Sequence, residues 1–343
     1  MKNKWNNSEA NKYIRNYKKK ISKDLALRIY TTHLLGREKD LVLHGGGNTS
    51  LKTTVKNVFN EKIDVMHIKG SGWDMGSIDY PGLPAVELQP LLKTNKLKTL
   101  NDFNTVNLQR KCLLDSNSPN PSVETLLHAF LPFKFVDHTH ASAILGLIDQ
   151  PNDVEICKKV FGEKVGIVPY VIPGFNLAKL SFKVFNQNKK VIGLILLKHG
   201  IFTFGNTAKE SYDRMINLVS IAERELKKYN NKILNNKKKI KKINFDINDS
   251  LFPILRKNLS EKNKDGSFTK WIIDFRVNDK IIKYLAHPKL KNFSCRGPVT
   301  PDHVIRTKSK PLILNLINLK KENLNIFIKN EIKKYKKNYH DYY

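Results

Sequence analysis

NPSVETLLHAFLPFKFVDHTH, residues 120–140, is the stretch from which the fold can be read. Asn120 suits a helix N-cap, and Pro121 suits the first helical position, where its missing N–H costs nothing. Val123, Leu126, Leu127 and Phe130 recur at helical spacing, which predicts one buried stripe. Pro132 stops the helix, since it can neither donate to the preceding turn nor fit against it. Lys134–His140 continues as a strand. Side chains alternate along a strand, so His138 and His140 point to the same face. With Glu124 a turn into the helix, the two imidazoles outline a metal site. A surface pair, or two satisfied core histidines, would read the same way.

Working outward, Val191–Leu197 is an unbroken apolar run whose length and Ile/Val content predict a buried strand. His199-Gly200 stands where that strand ends, a position where a rigid scaffold commonly presents chemistry. His199 is therefore a third ligand candidate, and three protein ligands leave a position open for substrate. A plain turn histidine fits the local sequence equally well.

Upstream, an amphipathic helix is predicted over Ile21–Leu35, ended by Gly36, with a short strand at Asp40–Leu43 leading into HGGGNTS (44–50). Three glycines followed by Asn, Thr and Ser let backbone N–H groups converge on an anion. The pattern is neither GxxxxGK[ST] nor GxGxxG, and a glycine-rich hairpin turn is the competing reading. A second turn, KGSGWD (69–74), follows a strand at Asp64–Ile68.

HGGGNTS, KGSGWD, PSVET (121–125), DHTH (137–140) and KHGIFTFG (198–205) occur in the order and spacing of the class II aldolase/adducin family. In detail they resemble the aldolase part of bifunctional rhamnulose-1-phosphate aldolase/lactaldehyde dehydrogenase proteins. GPVTPDHVIRTK (297–308) carries the match beyond the aldolase core, so that it covers roughly residues 24 to 308. The resemblance implies a three-layer α/β/α fold with a mixed, largely antiparallel central sheet and a C-terminal extension. It implies that His138, His140 and His199 hold Zn2+ or another divalent cation and that Glu124 shuttles the proton. It places the substrate phosphate on Gly47, Asn48, Ser71, Gly72 and Ser122. A helix N-terminus is itself an anion site, which favours Ser122 independently. One departure is Val123, where small aldolases of the family often have a second serine. The implied reaction is retro-aldol cleavage of a ketose 1-phosphate, rhamnulose 1-phosphate first, to dihydroxyacetone phosphate and lactaldehyde. A pentulose-phosphate 4-epimerase or a dehydratase on the same fold is the second enzymatic reading. A non-catalytic adducin-like module is the third, and the presence of all three histidines and Glu124 speaks against it. The resemblance also implies a homotetramer, with Cys295–Lys308 closing over the site of its own or a neighbouring subunit.

The formal charge is +30, from 61 Lys and Arg against 31 Asp and Glu. Such an excess invites a nucleic-acid partner, yet the basic residues gather in the first 23 residues, in Lys237–Lys242 and in the tail, without any nucleic-acid-binding signature. Solvated surface charge accounts for them, and a positive field would attract an anionic substrate. No apolar run reaches the length of a membrane span, and no hydrophobic region follows the basic N-terminus as in a secretory signal. Cys112, Cys157 and Cys295 are too few and too far apart for a disulfide framework or a CxxC site, which predicts reduced thiols in a cytoplasmic protein.

Residues 1–23 read as a frayed basic leader, 24–230 as the aldolase domain and 231–343 as the extension, with the Lys/Asn-rich stretch Asn230–Asn248 as boundary. Within the domain, Ala85–Leu114 reads as helical, Ala141–Ile148 as a helix behind the histidine strand, and Val165–Val171 as a strand. Leu177–Phe185 and Ala208–Tyr229 read as helices, so strands and helices interleave as in α/β folds. Beyond the boundary, Leu251–Leu285 predicts a helix and then a hairpin (Trp271–Val277 with Lys280–Tyr284), and Lys320–Tyr343 a basic helix. After Asn230 the glycines are Gly266 and Gly297 alone, so no glycine-rich turn marks a dinucleotide domain. No NAD site and no dehydrogenase domain are expected in this chain.

Overall fold

The computed structural model describes residues 1–229 and 246–342. Seven strands form one sheet: β1 (Asn48–Lys56), β2 (Lys62–Ile68), β3 (Ala85–Glu87), β4 (Phe135–Thr139), β5 (Val165–Val168), β6 (Gly193–Leu196) and β7 (Gly200–Gly205), in the order β3-β2-β1-β4-β7-β6-β5. All neighbours are antiparallel except β5 and β6, which are parallel. The mixed, largely antiparallel sheet is as expected.

Strand β4 lies at the centre, with His138 opposite Asn48 of β1 and Phe202 of β7. It is buried throughout, because helices cover both faces of the sheet. On one side α3 (Leu88–Lys93), α5 (Thr125–Phe130) and α8 (Phe175–Gln187) pack on Val136, Leu194, Leu196, Phe202 and Phe204. On the other side α2 (Lys23–Gly36), α6 (Ser142–Ile148), α7 (Asp153–Phe161) and α9 (Ala208–Lys227) meet Ile195 and Ile201. Burying apolar area on both faces is the main force holding the three layers together.

Several expected elements differ. The helix of the opening stretch starts at Thr125, not Asn120, because Pro121 pairs with Gly70 in an isolated bridge and Asn120 O accepts Ser71 N–H, which draws 120–122 out straight. Val123 accordingly leaves the buried stripe and is 58% exposed, while Leu126, Leu127 and Phe130 are buried. Asp40–Leu43 is no strand: Leu41 and Val42 N–H both return to Glu38 O in a turn. The N-terminal segment is not frayed either. It forms α1 (Asn7–Tyr17), capped by the Asn6 side chain on Ser8 and Glu9 N–H, with Trp5 and Tyr13 packed on the Tyr30 ring. Ala85–Leu114 opens with edge strand β3 before α3 and α4 (Asp102–Lys111).

The chain divides into two compact units. One contains Met1–Tyr229 and, from far along the chain, Val299–Thr307; the other contains the described residues of Asn230–Pro298 and Lys308–Tyr343. Most of the expected boundary stretch, and Lys237–Lys242 with it, lies outside the described residues. The second unit has its own small core of Leu251, Leu316, Leu324, Ile328 and Ile332, between α10 (Phe252–Leu259) and α14 (Leu324–His340). The hairpin expected between Trp271–Val277 and Lys280–Tyr284 does not form. Trp271–Val277 has no regular structure, and Asp279–Leu285 is helix α11, begun by the Asn278 side chain capping Ile281 N–H at 3.0 Å. Two short helices follow in sequence, α12 (Leu290–Ser294) and, in the first unit, α13 (Pro301–Val304). Among the described residues no helix is long and apolar enough to cross a membrane.

Candidate active site

Alternation along β4 sends Asp137 to one face and His138 to the other. Behind the sheet, Asp137 is wholly buried against Arg28 of α2 at 2.5 Å, and its Oδ2 accepts Ser211 Oγ–H of α9 at 2.6 Å. In front, His138 stacks on Phe202 and meets His140 one pleat on, their Nε2 atoms 3.0 Å apart. His199 arrives from the turn between β6 and β7. Lys198 adopts a left-handed φ of 59° there, and its ammonium is tied to Asp153 Oδ2 and two carbonyls. Gly200 lets β7 close on the histidines, since a Cβ at this position would stand 2.5 Å from Thr139 O. One potential ligand atom from each of His138, His140 and His199 lies within 4.8 Å of the others, and all three residues are buried. This is the triad expected from the sequence.

The hydrogen bonds decide which nitrogens face inward. His138 Nδ1–H donates to Ile201 O at 3.0 Å, and His140 Nδ1–H donates to Asp302 Oδ1 at 2.7 Å. Both Nε2 atoms therefore carry lone pairs pointed at each other. That juxtaposition is unfavourable by itself and is relieved by a cation held between them. Burial, and then the neighbouring His140 and His199, push the His138 pKa well below its ordinary value, so its ring is the neutral form that binds metal.

Glu124, just before α5, completes the cluster. Its Oε2 is 3.3 Å from His138 Nε2 and accepts Asn48 Nδ2–H at 2.7 Å. Its Oε1 is 3.4 Å from His199 Nε2 and, like His199 Nδ1, is buried without a hydrogen-bond partner. Orphaned buried polar atoms are costly, so a pair of them beside converging imidazoles fits a site built around a cation. Borderline divalent ions, zinc among them, suit a donor set of three imidazoles.

His128 was not singled out from the sequence. It lies one turn after Glu124, fully buried, and burial followed by the Lys52 and Arg28 charges drives its pKa well down. The neutral ring accepts a hydrogen bond from Ser50 Oγ–H at Nδ1 (2.8 Å) and donates from Nε2 to Asn48 Oδ1. This fixes the Asn48 amide so that its NH2 faces Ser122 Oγ (2.9 Å) and Glu124. The i, i+4 spacing of Glu124 and His128 was the available signal. Lys69, in KGSGWD, carries no signal of its own in the sequence. Its buried ammonium joins the two glycine loops by donating to Gly45 O (2.7 Å) and Trp73 O (2.8 Å), and burial pulls its pKa down to about 8.

The residues expected at a phosphate fall in two places. Asn48 and Ser122 stand together beside Glu124, and Gly47 packs under His138 O, where a Cβ would come within 2.7 Å. Gly72 lines a cavity of about 320 Å³ with His44, Gly45, Asp74 and Arg306, and Ser71 precedes it with its N–H on Asn120 O. The helix-terminus support for Ser122 falls away, because α5 begins three residues later and is only six residues long.

Residues 27–226 match the family model for the class II aldolase and adducin N-terminal domain, and residues 246–343 match the model for a class II aldolase second domain. An uncharacterized oxidoreductase of Bacillus subtilis (strain 168), YuxG, is 32% identical over 295 residues. That alignment takes in 84% of this chain but 42% of the relative, so the chain spans less than half of that protein's length. The N-terminal class II aldolase domain of a conserved Thermoplasma acidophilum protein is 39% identical, with a TM-score of 0.59, covering 66% of this chain and 99% of that one. A sugar-phosphate aldolase from Thermotoga maritima is 17% identical, with a TM-score of 0.45, over 68% of this chain and 99% of its own.

Proposed function

The chain belongs to the class II aldolase and adducin family, and on that premise we propose that it is a zinc-dependent aldolase cleaving a ketose 1-phosphate, rhamnulose 1-phosphate first among them, to dihydroxyacetone phosphate and lactaldehyde. The observation that carries this reading is the convergence of three imidazoles with a carboxylate whose Oε1 has no hydrogen-bond partner. His138, His140 and His199 would hold the cation. When bound, it supplies Lewis-acid stabilisation of the negative charge that retro-aldol cleavage leaves on the ketone fragment.

The chain's own residues do the rest. Glu124 carries the proton to and from the carbon that gains that charge, using Oε1, while Asn48 holds Oε2. General acid–base work of this kind is worth roughly 10²–10⁴-fold. Asn48 is in turn held by His128, which keeps the carboxylate from rotating. Gly47, Asn48, Ser71, Gly72 and Ser122 are the proposed phosphate contacts, and the excess positive charge favours approach of a sugar phosphate. Rhamnulose 1-phosphate is favoured by the sequence resemblance that runs on through GPVTPDHVIRTK. Assembly is proposed to be a homotetramer, as the resemblance implies.

The deciding experiment offers the zinc-loaded protein a panel of ketose 1-phosphates and ketopentose 5-phosphates and measures dihydroxyacetone phosphate. Release of that product from rhamnulose 1-phosphate, lost on chelation, is expected. Epimerised pentulose phosphate without cleavage of any ketose 1-phosphate would overturn the aldolase reading.

A further inference from the structure

We infer that Asp302 is a positioning residue of the metal centre, holding His140 in the tautomer and orientation that present its Nε2 to a divalent cation. The inference rests on the reading of the three histidines as a metal centre. Asp302 lies 162 residues beyond His140 and inside the region matched as the second domain, yet it is only 1% exposed. Its Oδ1 takes the His140 Nδ1–H at 2.7 Å, and its Oδ2 takes the Leu43 N–H at 2.9 Å. Both carboxylate oxygens are thereby fixed by the aldolase unit.

The segment around it is shaped for this contact. The Thr300 side chain caps α13 by accepting His303 N–H at 3.2 Å, and Arg306 Nη2 donates to His44 O at 3.1 Å. Opposite, Gly46 leaves the space that Asp302 fills: a Cβ there would lie 1.6 Å from Asp302 Oδ1. His138 obtains the equivalent support from a backbone carbonyl, Ile201 O. For His140 the support is a carboxylate, which fixes the ring's tautomer and orientation.

Charge balance points the same way. Among the described residues, Glu124 and Asp302 have only these histidines as ion-pair partners. A dication at the histidines, added to the buried Lys69 ammonium that already acts on both carboxylates, would balance them. A buried charge without such balance is strongly unfavourable.

The test measures zinc affinity by competition with a chromophoric chelator, for the wild type, Asp302→Ala, Asp302→Asn and His140→Ala. In parallel, the His140 ring tautomer in the metal-free proteins is read by long-range ¹H–¹⁵N NMR. Asp302→Ala is expected to bind zinc about 10–100-fold more weakly, the usual cost of losing such a partner. Asp302→Asn should fall between, because its one amide oxygen can still accept the Nδ1–H while its NH2 gives up the Leu43 N–H bond, and Val304→Ala, exposed in the same segment, should match the wild type. The Nδ1–H tautomer should persist in Asp302→Asn and lose its dominance in Asp302→Ala. If the alanine chain does not fold, the asparagine variant decides. Wild-type zinc affinity in the Asp302 variants, with the wild type itself binding, would overturn the inference alone. No binding of zinc or any other divalent cation by the wild type would overturn the metal reading and the inference with it.

Discussion

Replacing Asp137 by asparagine changes one oxygen for an NH2 and should nevertheless be among the most damaging conservative substitutions in this chain. Asp137 and Arg28 are both fully buried and meet at 2.5 Å. Asparagine preserves the volume and an acceptor for Ser211 Oγ–H, but it leaves the guanidinium in the interior without a counter-ion. Arg28 keeps Thr31 Oγ1 (2.5 Å) and Ser50 O (3.3 Å), which solvate but do not neutralise it. Breaking a buried pair in this way costs about 3–5 kcal/mol. Ser211→Ala, which removes one hydrogen bond to the carboxylate, should cost about 1.5–3 kcal/mol. Against a total stability of about 5–15 kcal/mol, the asparagine variant gives up a fifth or more of it. Urea unfolding of the metal-free protein at one fixed concentration measures both, with a common slope required for the comparison. The double variant Arg28→Met/Asp137→Leu should recover most of the loss, since an apolar pair of similar volume removes the charge problem altogether. A loss under about 1 kcal/mol for Asp137→Asn would refute the reasoning, because that is the cost of an exposed pair.

His138→Ala, His140→Ala and His199→Ala should each lose bound zinc and activity together, because three ligands leave no redundancy; full zinc occupancy in elemental analysis of any one removes that histidine from the site. Glu124→Gln should fold and hold metal, with its amide oxygen toward Asn48 Nδ2, yet lose roughly 10²–10⁴-fold in turnover. Near-wild-type cleavage by that variant would assign the proton to another group. Lys69 carries a pH signature: burial lowers its pKa to about 8 from an unfolded value near 10.4, so the unfolded chain binds more protons between those values. Stability from this group therefore rises with pH across that window, by up to about 3 kcal/mol. The unfolding free energy of the wild type minus that of Lys69→Met should rise from pH 8 to 10, and a constant difference would show that the ammonium is not desolvated.

What could be read from the sequence was whatever a period or a short spacing encodes. His138 and His140 share a face because alternation in β4 is forced, and His199 ends an apolar run whose length and Ile/Val content favour a buried strand over a helix core. The start of α5 misled because Asn120 and Pro121 carry genuine helix-start chemistry that a tertiary contact overrides. Gly70 bridges Pro121 from 51 residues upstream, and local propensity is too weak to resist it. The N-terminal segment misled in a related way. Its lysines dominate the composition, while Trp5, Ala10 and Tyr13, which dock it, are spread too thinly to register as a stripe. Asp302 had no spacing to betray it: nothing local distinguishes it from any other acid at the start of a short helix.

The glycines show how far a correct motif can be from a complete one. HGGG was read as a place where backbone N–H groups gather on an anion, and Gly45 does line the cavity with Gly72. Gly46 and Gly47, however, are held to glycine by protein atoms. A Cβ on Gly46 would strike the Asp302 carboxylate, and one on Gly47 would strike the His138 carbonyl. Gly200 is held the same way by Thr139 O. Gly47, just before β1, and Gly200, in β7, therefore mark close approaches to the histidine strand, and Gly46 marks one to Asp302, which holds His140. A methyl group at any of them would first be felt as a displaced histidine, before any effect on a bound anion.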